Sequence, residues 1–267
     1  MRANSSRKSL SAESTDDGKP RLIVDVAAVL DVGHTEAQEI VEAFERHVAL
    51  PLQENLQRLT GRDLAKRNPM IYTSRGAKTV REWVDRYLED RETSAIEGHI
   101  GTWQEEVARI VSGGIKPGSG VDLQLERGGV IELYAIQSAP NTKSAGGAKA
   151  DRDALRAAAG ALRASRRPVE LNVAVLSGRR KSTPMKSDPS IMHVGSDDFW
   201  KRISGISDFR ARLLRATTLL SELVRARAQS EVERIHAEAQ AAFGDAQGNL
   251  DLGRLADPPS ATRTRRS

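Results

Sequence analysis

The chain has 267 residues, 39% of them hydrophobic, and a formal net charge of +5, enough apolar material for one sizeable core or two small ones. It has no cysteine, which excludes a disulfide framework, a thiolate zinc site and a cysteine nucleophile. No apolar run approaches the ~18 residues of a membrane span, and the polar start Met1–Lys19 lacks the apolar segment of a secretory signal; a soluble, cytoplasmic protein is expected.

Residues 1–19 and 257–267 are polar, charged and poor in apolar side chains. Such stretches bury too little surface to offset their ordering entropy, so both are expected to be disordered tails around one domain spanning 20–256. Within it, helices are expected over 35–114, a sheet core over 118–177 and C-terminal helices over 197–243. Thr35 and Gln38 form a capping-box pattern ahead of Ile40, Val41, Phe44 and Val48, and Pro51 is expected to break or kink that helix. Thr79 and Glu82 form a second capping box before Val80, Trp83, Val84, Tyr87 and Leu88. A third amphipathic segment carries Ile100, Trp103, Val107, Ile110 and Val111 and ends at Gly113 and Gly114.

The period then changes from 3.6 to 2. Val121, Leu123 and Leu125 alternate with Asp122, Gln124 and Glu126; Arg127, Gly128 and Gly129 make a turn; Val130 to Gln137 returns. This is the pattern of a β-hairpin. An alanine-rich helix over 150–165 and a third strand over 169–176 follow. Asp197 or Asp198 caps a helix with Phe199, Trp200 and Ile203, and a long helical pattern runs from Phe209 to Phe243. The element order makes this a mixed α/β (α+β) protein: a mixed central sheet with a hairpin, flanked by helices, with further helices at both ends.

Asp122 stands at the start of a strand beside a turn. Two readings are open at this point: a ligand for a hard cation such as magnesium, which takes oxygen donors, or part of a solvated hairpin face. Between Thr142 and Ser187 lie eleven basic residues against three acidic ones, a local balance of +8 that exceeds the +5 of the whole chain. Positive charge concentrated beside the hairpin would attract a polyphosphate; an ordinary solvated basic face is the other reading. The five histidines show no metal-ligand spacing. Trp83, Trp103 and Trp200 lie on apolar helical stripes and read as core.

The run SGVDLQLERGGVIELYAIQSAPN, residues 119–141, resembles the core of PmeII-type type II restriction endonucleases within the PD-(D/E)XK nuclease superfamily. Gly120-Val121-Asp122 matches the G-[IV]-D strand, and Ile136-Gln137-Ser138-Ala139-Pro140-Asn141 matches the I-K-S-G-P-N element with two changes. Lys66-Arg67-Asn68-Pro69, the acidic helix between Glu92 and Ile110, and Phe199-Trp200 with Ile203-Ser204-Gly205 agree in order, so the likeness spans roughly residues 60–225.

The resemblance implies a restriction-endonuclease-like core, Mg2+-dependent hydrolysis of phosphodiester bonds in double-stranded DNA, and a homodimer that cuts both strands. It implies that Asp122 is the metal-binding aspartate, joined by a backbone carbonyl near Ile136. Gln137 takes the place of a lysine and would orient the attacking water. Ala135 takes a place where the wider superfamily has Asp or Glu, so the missing carboxylate must come from elsewhere. Glu106 is the choice carried forward, with Glu97, Glu126 and Glu132 as alternatives. Lys143, Lys149, Arg152, Arg156, Arg179, Arg180 and Lys181 are the candidates for gripping DNA phosphates. The competing reading, prompted by Ala135 and Gln137, is a nuclease-fold DNA-binding protein that has lost catalysis; a basic scaffold or RNA-binding protein is a third. The leucines of the long helix, Leu213, Leu214, Leu219, Leu220 and Leu223, could serve the core or a dimer contact.

Overall fold

The N-terminal third is helical because its apolar residues recur every three to four positions. In the computed structural model, which describes residues 18–118, 120–139, 143–178 and 181–256, α1 (Gly18–Leu30) buries Ile23, Val26 and Leu30. The N-terminal tail expected over 1–19 therefore gives up Gly18 and Lys19 to a helix; its remainder and the tail over 257–267 lie outside the described residues. Next comes α2 (His34–Phe44). Its cap is Gly33, whose N–H donates to the Glu36 carboxylate at 2.7 Å, so the start lies two residues before the expected Thr35 cap. Pro51 neither breaks nor sharply ends the rod. A π-helical turn over Glu45–Ala49 leads into α3 (Leu50–Gln57), and Leu50 N–H reaches back to Glu45 O. The proline sits in the first turn of the new segment, where a missing N–H costs little.

After a 3-10 turn over Gly61–Lys66 and the short α4 (Met70–Thr73), the second and third expected helices prove to be one. This is α5 (Val80–Ser112), 33 residues opened by the expected Thr79–Glu82 capping box and closed by Gly113 in the left-handed region. The polar stretch between the two apolar stripes contains no proline, so nothing stops the backbone from continuing.

The hairpin is β1 (Leu123–Arg127) and β2 (Val130–Gln137), in register from Leu123 opposite Tyr134 to Arg127 opposite Val130. Gly128 and Gly129, at φ 59° and 81°, supply the two positive-φ positions that a two-residue loop needs to match strand twist. Then α6 (Ala145–Ala161) crosses to β3 (Val169–Val175), parallel to β2. A second hairpin, β4 (Thr183–Met185) and β5 (Asp188–Val194), was not visible in the sequence pattern. Its prolines interrupt the alternation, and Pro184 is tolerated because β4 is an edge strand. The sheet order is β1-β2-β3-β5-β4, with parallel pairs in the middle and antiparallel pairs at both edges. The chain closes with α7 (Ser196–Ser204), α8 (Phe209–Phe243) and α9 (Leu252–Ala256). This is a mixed sheet flanked by helices, the expected fold class.

Strand alternation sends neighbouring residues of β2 into different cores. Tyr134 and Ile136 join Leu123, Leu125, Trp103, Val107, Phe199, Trp200 and Leu213 beneath the helices. Ile131, Leu133 and Ala135 face α6, where Leu155 is fully buried. The two long helices extend beyond the sheet into a separate helical core, where Trp83, Val84 and Tyr87 of α5 meet Ile235, Ala239 and Phe243 of α8. All three tryptophans are fully buried, as their stripes predict; Trp103 and Trp200 donate their indole N–H groups to Ile40 O and Leu176 O. No helix among the described residues is long and apolar enough to cross a membrane.

Candidate active site

The hairpin ladder ends at Asp122. Asp122 N–H donates to Tyr134 O at 2.9 Å, continuing the β pattern by one residue. One step further along β2, the Asp122 side chain replaces a backbone acceptor: its Oδ2 takes the N–H of Ile136 at 2.6 Å. The preceding Gly120 has φ +80°, and a Cβ there would stand 2.9 Å from Ala154 of α6, so both the turn and the packing call for glycine.

Asp122, Ile136, Gln137 and Ser138 line an open depression together with Lys143 and one face of α5, contributed by Glu97, Gly98, Gly101, Thr102 and Glu105. Glu97, Gly101 and Glu105 are spaced by four, which stacks them on one side of the helix. Gly101 lets α5 pass close to the end of β2, where a Cβ on it would touch Ser138 at 3.7 Å.

The structure sets Glu97 and Glu105 in the depression with Asp122 and leaves Glu106, the choice carried forward, out of its lining. Glu106 is turned about 100° from Glu105 around the helix axis. It forms a two-point ion pair with Arg109, at 3.0 and 2.9 Å, and that pairing together with the Arg109 charge holds its carboxyl below the usual range. Glu126 is likewise engaged, accepting from Arg167 at 2.7 and 2.6 Å. Glu132 is buried and bonded to Tyr134 at 2.5 Å and Arg202 at 2.9 Å. Of the carboxylates that line the depression, Glu97 was among the sequence candidates and Glu105 was not. The signal that could have found it was the small-residue face Gly98, Gly101 and Thr102, flanked by Glu97 and Glu105 at helical spacing.

The electrostatics separate these groups further. Burial pushes the Asp122 carboxyl up, and the Ile136 N–H and the charges of Lys116 and Lys143 offset that only in part. Burial also pushes Glu105 up, and the charge of Asp122 pushes in the same direction; the Lys116 ammonium, 3.3 Å from Glu105, and the charge of Lys143 offset only part of it. Two desolvated carboxylates thus face each other without full compensation. Among the described residues no three His, Asp or Glu side chains gather into a ready-made metal cage. Two carboxylates with a backbone carbonyl and solvent, however, form a hard oxygen set of the kind magnesium takes, and a divalent cation would relieve their repulsion; the residues present fit such an ion.

Gln137 is buried and shares the depression with Asp122, rather than pointing to the opposite side of the sheet. Its Nε2 donates to Asp151 Oδ2 on α6 at 3.2 Å, and Lys143 Nζ donates to both Asp151 oxygens at 2.7 and 2.8 Å. The remaining basic candidates spread outward from there. Lys149 pairs with Asp153 and Arg156 with Asp153 and Asp188, all on or beside α6, Arg152 is half-buried on the same helix, and Lys181 is exposed. Arg179 and Arg180 lie outside the described residues, as do Pro140 and Asn141. The Lys149–Asp153 and Arg156–Asp153 pairs are exposed, and pairs of this kind are weak.

Over residues 37–219, more than half of its length, the chain matches the family model of the type II restriction endonuclease EcoO109I. No curated protein matches it. The match supports the type II restriction-endonuclease resemblance without singling out the PmeII-type group. With the mixed sheet, the hairpin and the two facing carboxylates in place, the chain belongs to the EcoO109I family of type II restriction endonucleases.

Proposed function

We propose that this protein hydrolyses phosphodiester bonds in double-stranded DNA in a Mg2+-dependent reaction, and that Asp122, Glu105 and the Ile136 carbonyl hold the ion. Family membership gives a type II site-specific DNA endonuclease; the residue roles rest on one observation, the pair of incompletely compensated carboxylates in an open depression that Lys143 also lines. When bound, magnesium would supply a concentrated positive charge at the scissile phosphate and lower the pKa of a bound water. The protein's own residues do the positioning. The Ile136 N–H fixes the Asp122 carboxylate, α5 presents Glu105 opposite it, and the Gln137 amide orients the attacking water. Lys149, Arg152, Arg156 and Lys181 grip the backbone on either side, together with Arg179 and Arg180. In the net reaction one water adds to phosphorus, one P–O bond breaks and the departing oxygen takes a proton. Cutting both strands calls for a second active site, hence a homodimer.

The test is digestion of a complex, unmethylated DNA by the purified protein with magnesium, followed by sequencing of the ends. Ends sharing one short sequence are expected, and Asp122→Ala should remove them. Tight duplex binding without cuts would favour the second reading, a DNA-binding protein that has lost catalysis, to which Gln137 lends support. Light scattering on the size-fractionated protein tests the dimer; a strict monomer on and off DNA would overturn it.

A further inference from the structure

We propose that Lys143 is a catalytic residue: its ammonium, anchored by Asp151, supplies the positive charge that stabilises the phosphate as negative charge builds during attack. The inference rests on the nuclease reading above and adds a residue to it.

Phosphoryl transfer concentrates charge on the non-bridging oxygens, and a fixed cation in a partly dehydrated site lowers that barrier. The strand itself offers only an uncharged amide at Gln137. The charge comes instead from the segment leading into α6. Lys143 lines the depression with Asp122 and Gln137, and its field reaches both carboxylates. It is not a loose surface lysine. Its two hydrogen bonds to Asp151 fix the ammonium, and Asp151, only 12% exposed, is itself tied to the end of β2 through Gln137 Nε2. The side chains of 137 and 143 therefore converge on one carboxylate. Lys116 is the other ammonium whose field reaches both acids; it is 59% exposed, makes a single 3.3 Å contact with Glu105 and is not part of the wall of the depression. Lys143 keeps its protons throughout, so the stoichiometry of hydrolysis is unchanged, and Asp151 acts as a positioning residue.

The geometry makes an unusual exchange possible. Because the two side chains meet on Asp151, a lysine at 137 can place its ammonium where that of Lys143 now lies. Lys143→Gln is expected to lower single-turnover cleavage at saturating protein by about 10²-fold. Duplex affinity measured in EDTA should weaken only a few fold, with the salt slope reduced by about 0.9 as one phosphate contact is lost. Gln137→Lys in the Lys143→Gln background should recover at least about tenfold of the rate, which neither a packing role nor remote phosphate gripping would give. Asp151→Asn should lower the cleavage rate while leaving KM for DNA within about twofold. Lys143→Gln that cuts at the parental rate overturns the proposal and leaves the nuclease reading standing, as does an unrescued double variant when Gln137→Lys alone is active. A parent chain that cuts no DNA with magnesium overturns both.

Discussion

The two ends of the first hairpin place carboxylates in opposite electrostatic states. At the turn end, Glu132 is 3% exposed, yet its carboxyl is held below the usual range: burial pushes it up, and the Tyr134 hydroxyl and the Arg202 guanidinium outweigh that. Arg202 in turn bonds Glu170 on β3 at 2.6 Å, so the acid is enclosed in a closed network. At the other end, Asp122 and Glu105 are both pushed up by burial and face each other with partial compensation. A satisfied buried charge holds two strands and a helix together. An under-satisfied pair is a standing cost to the fold, one that a bound cation would offset under the function proposed above.

Breaking each end should therefore give opposite signatures. Asp122→Asn keeps an acceptor for the Ile136 N–H but removes the charge; magnesium-dependent cleavage should fall by ~10³-fold or more, with folding intact. Arg202→Met should do the reverse. It leaves Glu132 buried without its cation, at a cost of about 3 kcal/mol, the lower end for a broken buried pair because Arg202 is 36% exposed. Urea unfolding reads the loss, and cleavage per folded molecule should stay within about threefold. A fully stable Arg202→Met protein would show that the network is ornamental.

Adjacent residues on α5 sharpen the contrast. Glu105→Gln should slow cleavage by about 10²-fold, whereas Glu106→Gln should change it by less than about twofold, since Glu106 faces Arg109 on another side of the helix. Equal effects would mean that the helix does not present Glu105 to the Asp122 site as proposed.

How much of this was legible in the sequence follows from what each signal measures. The hairpin, its glycine turn and the position of Asp122 could be read because strand alternation and a Gly-Gly pair are local. So could the fully buried tryptophans. The fusion of two helices into α5 was missed because a polar, proline-free stretch looks like a linker until both its ends are packed. The second hairpin was missed because its prolines hide the alternation of an edge strand. Choosing between Glu105 and Glu106 needs the rotation of α5 against β2, a long-range fact with no local trace. The link from Lys143 through Asp151 to Gln137 crosses from a loop to a helix to a strand, and only the folded chain brings the three together.

The smallest expected effect concerns stability rather than rate, and its sign depends on pH. Asp122 and Glu105 have raised carboxyl pKa values in the folded chain, so between the ordinary carboxylate range and the raised values the folded state holds more protons than the unfolded one. Stability contributed by these groups therefore falls as pH rises through that window, and the penalty is complete above it. Glu132 behaves oppositely: its lowered pKa makes its contribution full at neutral pH and lost as pH drops through the lowered value. Removing one charge of the facing pair should then stabilise the metal-free protein. Asp122→Asn is expected to gain about 1 kcal/mol in urea unfolding at pH 8 in EDTA, a common size for relieving a strained functional site. The gain should vanish at a pH below the ordinary carboxylate range, where both acids are neutral in either state. Magnesium should narrow the difference at pH 8, because the ion stabilises only the parent pair. If Asp122→Asn proved less stable than the parent at pH 8 in EDTA, the bond from Ile136 would outweigh the repulsion, and the hairpin's open end would be a second structural network.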